Sequence, residues 1–393
     1  MRGPAFIRIA WLGGAVLPML LSLVVAQAHA STLVESPGSQ VHQKIVVTLD
    51  LPSMDAPRFS PSGRMSYMPI SPEEYRRQMH EQAEELARQF DLAVDAQWPI
   101  HVLGVNCVVY RINESGRDAA SVAGLMNRIR HHDGVDAVQA MNSFVTAGSA
   151  SQGSSLPETG SFDDILENLA IKGSGRNVSI AVVDTGVDLA HSSLEDAELL
   201  VSNLVNDADV SFPPETHGTA IVGLLLAHEN RALGIRGAVP KATTHLLRAC
   251  WEVSEESDLA RCNTFTLARA LAAAVESEAE VVNLSISGPR DPLLERIAAR
   301  ILDEGRVLVA AGDSRNGFPG SVEGSILAIN HFDADRNAMT LLPGNRYGLR
   351  KGSSVAAAKM TALVTLIKER DPGLGNAEIL DYVVTLRQES FRD

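Results

Sequence analysis

The sequence predicts an α/β protein, with a doubly wound, mainly parallel sheet preceded by a small α+β unit. Three observations predict it. From Asn177 onward, short and nearly continuous apolar runs alternate with segments of helical periodicity, as in a parallel sheet covered on both faces. Ahead of them, between Lys44 and Met141, a shorter alternation carries apolar stripes of its own. Between the two, residues 146–160 are polar and rich in Ser and Gly, the composition of a linker. A chain of 393 residues is long enough for one large domain and a small one.

Residues 1–30 read as a secretory signal. Arg2 and Arg8 supply a positive start, an apolar stretch runs from Ile9 to Ala26, and Ala28-His29-Ala30 is a small-x-small cleavage site. The other reading is an uncleaved membrane anchor, although the run is at the short end for a span. With no Cys in this segment, a lipid anchor is not indicated, and no later segment is long and apolar enough to cross a membrane. The expected address is outside the cytoplasm, in the periplasm or beyond.

The small unit follows in order. KIVVTLD, Lys44 to Asp50, is rich in β-branched residues and reads as a strand. Ser71-Pro72-Glu73-Glu74 is a helix start, with Ser as cap, Pro in the first turn and Glu three residues after the Ser. Tyr75, Met79, Ala83, Leu86 and Phe90 continue it as a core-facing stripe. His101 to Ile112 reads as strand. Ser121 to His131 reads as helix, with Val122, Leu125, Met126 and Ile129 on one side, and Val135 to Met141 is a final short strand.

The larger unit begins with VSIAVVD, Val178 to Asp184, a strand apolar almost throughout. His217 to His228 is read as helix, Thr244 to Cys250 as strand, Asn263 to Ala279 as helix and Glu280 to Ile286 as strand. Asp291-Pro292 opens a helix running to Glu304. Arg306 to Gly312 and Ser325 to Asn330 are read as strands, and Ser354 to Glu369 and Asn376 to Leu386 as helices. In such sheets ligands bind outside the carboxyl ends of the strands.

Composition narrows the partners. The net charge of −14 argues against a general nucleic-acid binder. There are three cysteines, an odd number for an oxidising compartment. Cys250 and Cys262 are close enough in sequence to close a short loop. Cys107 is then left over, unless it lies in a segment that is removed.

Three polar residues fall where the strand-end rule puts a site. Asp184 ends the first buried strand, where a carboxylate must be hydrogen-bonded or paired, if only by capping the following turn. His217, in ETHGTAIVG, heads a helix. Ser354 stands in KGSSVAAAKMTALV at another helix start. Ser in that position serves as an N-cap. It is equally where a nucleophile faces backbone N–H groups able to bind a developing negative charge. Nucleophilic catalysis by Ser requires an imidazole within hydrogen-bond reach and a buried carboxylate to orient it.

From Asn177 to Leu386 the chain resembles the subtilisin-like serine peptidases. The matching strings are AVVDTGVD around Asp184, THGTAIVG around His217, VVNLSISGP from Val281 to Pro289, and GSSVAAAK around Ser354. The resemblance implies Ser354 as nucleophile, His217 as general base and then acid, and Asp184 as its orienter, with Ser353 filling the small-hydroxyl place before the nucleophile. It implies that Ser285, Ile286, Ser287 and Gly288 pair with an extended peptide through main-chain hydrogen bonds. Ala310, Ala311 and Gly312 then form the other wall of the pocket, and Ser287, where glycine is common, narrows it. The backbone N–H of Ser354 belongs to the oxyanion site. The front unit, a βαββαβ pattern of ferredoxin-like type, is similar in position to an inhibitory propeptide. Its removal, with a cut between Phe144 and Gly160, leaves Cys250 and Cys262 as an even pair. The implied organisation is a signal at 1–30, a propeptide-like domain at 31–148, a linker at 149–160 and a catalytic domain at 161–393.

Besides Ser287, three positions depart from the family pattern. Asp313, in AAGDSRNG, stands where the family has an Asn that donates to the oxyanion. Three readings follow. Asp313 is protonated through burial and the nearby developing charge; it points away and leaves the work to the Ser354 N–H; or the enzyme is crippled. Branches of the family with Asp here remain active. Ala358 and Lys359 replace a usual Pro-His and touch no triad role. The catalytic part is short, so the calcium sites of many relatives cannot be assumed here, and no cofactor or metal is assigned from the sequence.

Other signals are discounted. Leu156-Pro157-Glu158-Thr159-Gly160 lacks the C-terminal apolar tail of a cell-wall sorting signal. His131-His132 lies at a helix end, and His228-Glu229 lacks the second His of a zinc helix. Gly173-Ser174-Gly175 precedes a strand instead of following one, which counts against a nucleotide-binding protein. Asn113-Glu114-Ser115 and Asn177-Val178-Ser179 match the short glycosylation pattern. The expected function is an exported serine endopeptidase made as a precursor, with its own front segment as inhibitor, polypeptides as substrates and no stable nucleic-acid or membrane partner. The rival is a binding or regulatory protein of the same fold without turnover.

Overall fold

The computed structural model describes residues 44–53, 55–59, 65–113, 118–146, 172–206, 211–254, 259–311, 315–328 and 337–389. The expected signal at 1–30 and the linker at 149–160 lie outside the described residues. The chain falls into two compact units, dividing between Asn142 and Ser143.

In the first unit β1 (Lys44–Asp50), β2 (Asp55–Phe59) and β3 (Met65–Pro69) precede α1 (Pro72–Phe90). β4 (Leu92–Ile100), β5 (Val105–Ile112), α2 (Ala119–Arg130) and β6 (Val135–Ala140) follow. The four-stranded antiparallel sheet has the order β4-β5-β1-β6, and β2 and β3 form a separate hairpin. The cap read at Ser71 is made, its hydroxyl accepting from the Glu74 N–H at 3.1 Å. The stripe of α1 buries Tyr75, Met79, Ala83 and Leu86. Ala83 and Leu86 pack with Ile45, Val47, Leu125 and Ile129 in one core. Tyr110 lies fully inside and its hydroxyl donates to the Ala83 carbonyl at 2.9 Å, so burial leaves no orphan phenol. Besides the β2–β3 pair, which the sequence reading leaves unassigned, two elements differ from it. His101–Leu103 is a short turn of helix, because Gly104 adopts a left-handed conformation and restarts the chain as β5. β4 is hidden in the sequence because Asp95, Gln97 and Pro99 interrupt its apolar pattern.

The second unit holds β7 (Ser143–Thr146), β8 (Ser179–Asp184), β9 (Leu199–Asn203), α3 (Thr216–Leu226), β10 (Thr243–Arg248), β11 (Trp251–Glu252) and β12 (Ala260–Asn263). α4 (Thr264–Glu276), β13 (Val281–Leu284), β14 (Ile286–Ser287), α5 (Pro292–Asp303), β15 (Val307–Ala310) and β16 (Ile326–Leu327) come next. β17 (Ala338–Leu342), β18 (Arg346–Arg350), α6 (Ser353–Arg370) and α7 (Asn376–Glu389) complete it. Six strands form one sheet in the order β16-β15-β13-β8-β10-β9, every pair parallel. All their carboxyl ends therefore share one edge. Helices flank the sheet, α3 packing on α6 and α4 on α5. Pairing of this kind needs strands apolar on both faces, and the run from Ile180 to Val183 is buried throughout. α6 is buried along most of its length. Its Ala356, Ala357 and Ala358 let it lie close to its neighbours, and they share a core with Ile180, Val182, Ile221 and Val222. A second sheet runs β11-β12-β7-β14 and is antiparallel.

Candidate active site

Asp184 is the last residue of β8 and is 1% exposed. One of its carboxylate oxygens, Oδ1, accepts from the Thr185 N–H at 2.7 Å. His217 is the second residue of α3. A Cβ on Gly218 would overlap the carbonyl oxygens of Gly186 and Thr185, so only glycine lets α3 start against the turn that follows Asp184. Ser354 is the second residue of α6, entered through Gly352, whose φ of +119° suits no other residue type well.

These three elements bring three distant residues together. His217 Nδ1 lies 2.7 Å from Asp184 Oδ1, and His217 Nε2 lies 3.1 Å from Ser354 Oγ. The tautomer consistent with both contacts has Nδ1–H donating to the carboxylate and Nε2 accepting from the hydroxyl. Ser354 Oγ also sits 3.3 Å from the Ser285 carbonyl. The backbone N–H of Ser354 belongs to the first turn of α6, where N–H groups point out of the helix. Below it, Asn283 donates to the Ser285 hydroxyl at 2.8 Å and accepts from Thr361 at 3.0 Å, tying the end of β13 to α6.

The four residues read as a substrate edge lie beside this cluster. Ile286 and Ser287 form β14, Ser285 is buried just before it, and Gly288 follows it, bridged to Phe318. The edge is already paired. Ile286 stands opposite Thr146 and Ser287 opposite Val145, in antiparallel register with β7. On its other side β7 pairs with β12, Cys262 standing opposite Phe144. The Phe144 ring meets Phe318 edge-on at 5.9 Å, and a Cβ on Gly288 would overlap it. Ala310 ends β15, and Ala311 donates to the Leu284 carbonyl at 3.0 Å. Gly312 and Asp313 lie outside the described residues.

Sequence reasoning missed a polar network under the head of α3. Glu215, 9% exposed, holds Arg248 through two hydrogen bonds at 2.8 and 3.0 Å and also accepts from the Gly186 and Glu252 N–H groups. Glu252 in turn accepts from the N–H groups of Thr216 and His217. Burial raises the Glu252 carboxyl above its ordinary range, against the lowering effect of those two N–H donors, and the neighbouring Glu215 charge adds to the rise. No local spacing marks these residues, since Glu252 is 35 positions from His217. Cys250 and Cys262 are joined by a disulfide that ties the start of β11 to β12. Cys107 forms no disulfide and is buried in the first unit. Among the described residues, no group of three or more His, Cys, Asp or Glu side chains is arranged to hold a metal ion. No helix among them is long and apolar enough to cross a membrane.

A sequence model of the subtilase family matches residues 175–339. A thermophilic serine proteinase from a Bacillus species is 30% identical over 227 residues, which cover 51% of this chain and 54% of that protein. The major intracellular serine protease of Bacillus subtilis is 24% identical over 227 residues, 49% of this chain and 69% of that protein. Among solved structures, fervidolysin from Fervidobacterium pennivorans, a keratinolytic enzyme related to subtilisin, aligns with a TM-score of 0.57 at 16% identity, covering 85% of this chain and 55% of that one. The match thus spans about half the length of the thermophilic proteinase and of fervidolysin. The fold is subtilisin-like.

Proposed function

We propose that this chain is a serine endopeptidase of the subtilisin type, hydrolysing peptide bonds through an acyl-enzyme and made as a precursor. The observation that carries the reading is the relay Asp184–His217–Ser354, with contacts of 2.7 and 3.1 Å. In the proposed reaction Ser354 Oγ attacks the substrate carbonyl while its proton passes to His217 Nε2. Asp184 holds the Nδ1–H tautomer and stabilises the imidazolium that forms. The oxyanion is met by the Ser354 N–H, with Asp313 in the position of the second donor. His217 then gives its proton to the leaving amine, and water repeats the sequence on the acyl group.

The pairing of β7 supports a precursor. A segment of the chain itself, Ser143–Thr146, lies on the edge expected to receive an extended peptide. We read β7 as a substrate mimic and residues 38–142, continuous with it, as the inhibitory segment. The processing cut then falls after Thr146, within residues 147–160. Export rests on the composition of residues 1–30; two of the similar proteins are named as intracellular.

A rival without turnover is favoured by one observation, the acid at Asp313 where the family pattern has a donor amide. Labelling the full-length chain with a fluorophosphonate probe separates the two. Labelling of Ser354 that disappears in His217→Ala supports the peptidase, and an unlabelled wild type supports the rival. N-terminal sequencing of the mature form tests export and the processing cut in the same preparation.

A further inference from the structure

We infer that Glu252 is a positioning residue for His217, acting from the strand ribbon that flanks the cleft. The inference rests on the peptidase reading. The Glu252 carboxylate accepts from the N–H groups of Thr216 and His217, the first two residues of α3. Those donors have no acceptor within their own helix. The residue in the N-cap position, Glu215, does not cap α3 with its side chain, because its carboxylate is taken by Arg248, Gly186 and Glu252 N–H. The cap is therefore supplied from β11, by a residue remote in sequence.

Two consequences follow from this placement. First, the backbone of His217 is pinned directly, so the imidazole is carried to Asp184 and Ser354 by a helix whose head is anchored. Second, a negative charge stands at the positive end of the α3 dipole and favours the imidazolium, which is the intermediate protonation state of the relay. Among the described residues, the charged groups around Glu252 are Glu215, paired with Arg248 of β10, then His217 itself with Asp184 behind it, and Arg261 of β12 one register position away. Glu252 is only partly buried; burial raises its carboxyl, while the two N–H donors act the other way, in favour of the ionised form. β11 pairs with β12, and β12 pairs with β7, so a single strand separates the segment that lies on the substrate edge from the strand that carries the cap.

The test compares Glu252→Ala and Glu252→Gln with wild type, each expressed as the full-length chain and allowed to process, using a chromogenic peptide. Glu252→Ala is expected to lower kcat by about tenfold with KM within about twofold, the signature of misplaced catalytic geometry rather than lost binding. Glu252→Gln keeps an acceptor oxygen and is expected to restore kcat to within about threefold of wild type. It removes the charge, so the acid limb of kcat moves to lower pH by roughly a few tenths of a unit. An Ala variant with unchanged kcat, or a Gln variant with an unmoved acid limb, overturns the inference. The Gln result decides alone if the Ala variant fails to accumulate. A wild type without Ser354-dependent turnover overturns the peptidase reading and this inference together.

Discussion

His217 Nδ1 stands 2.7 Å from Asp184 Oδ1, and the same Asp184 oxygen is held by the Thr185 N–H at 2.7 Å. The carboxylate is thus fixed from behind by its own strand end before it meets the imidazole. Asp184→Asn keeps the shape but offers the imidazole an amide, which permits the tautomer with Nε2 protonated. That tautomer cannot accept the Ser354 proton. A fall in kcat of about 10⁴ is expected, the scale of the same substitution in other serine-peptidase triads. Steady-state hydrolysis of a peptide substrate measures it; a loss under about tenfold would detach Asp184 from the proposed relay.

Asp313 offers a test with the opposite sign. An ionised Asp cannot donate to an oxyanion, whereas Asn always can. Asp313→Asn is therefore expected to keep or raise kcat at neutral pH, with the gain growing as pH rises and the wild-type acid loses its proton. In subtilisin itself, removing the Asn donor costs about 10²–10³ in rate, which bounds the gain to be looked for. A pH series of kcat for both forms provides the check, and a large loss in the Asn form would remove the reading in which Asp313 is a protonated donor.

His245 predicts part of the acid sensitivity of the fold. It lies in the middle of β10, 7% exposed, opposite Ala181 on one side and Leu200 on the other. Burial lowers its pKa below the ordinary histidine value, because the cation is not solvated there. A depressed folded-state value contributes stability above the unfolded pKa of about 6.5, and that contribution is lost as pH falls toward and through the folded value. Glu252 has the reverse sign. Its raised value means that the charge costs stability at neutral pH and the cost fades in acid. Thermal unfolding at about pH 7 and about pH 5 should therefore show a smaller acid-induced drop for His245→Gln than for wild type. Glu252→Gln should gain stability mainly at the higher pH.

What the sequence showed of this molecule depended on distance along the chain. VSIAVVD announces β8 because nearly every position on both faces is apolar, and the Ser71 cap is visible because donor and acceptor are three residues apart. β9, LLVSN, is half-exposed and short, and the β17–β18 hairpin mixes Arg and Gly with its apolar residues, so neither presents a clear period. The three residues of the relay were legible because each stands in a glycine-rich string at a strand end or helix start. Glu215, Arg248 and Glu252 were not. Each is an ordinary charged residue whose role exists only after β10, β11 and the head of α3 have met.

The last prediction concerns the segment in the cleft. Phe144 is 1% exposed, meets Phe318 edge-on, and is held on both sides by main-chain pairing of its neighbours, Ser143 opposite Asn263 and Val145 opposite Ser287. Main-chain pairing is indifferent to side chain, so the ring supplies the selective part of the hold. Phe144→Ala removes it and is expected to weaken the hold by about 3 kcal/mol, roughly a hundredfold in occupancy. If β7 is the inhibitory segment, the variant should show activity sooner after processing than wild type, at equal amounts of cleaved chain. Phe144→Leu, apolar but without the ring, should fall between the two. The comparison is made by following peptide hydrolysis and the gel pattern of the full-length chain in the same time course. Equal lag times in all three forms would mean that β7 does not restrain the enzyme, although its strand occupies the edge.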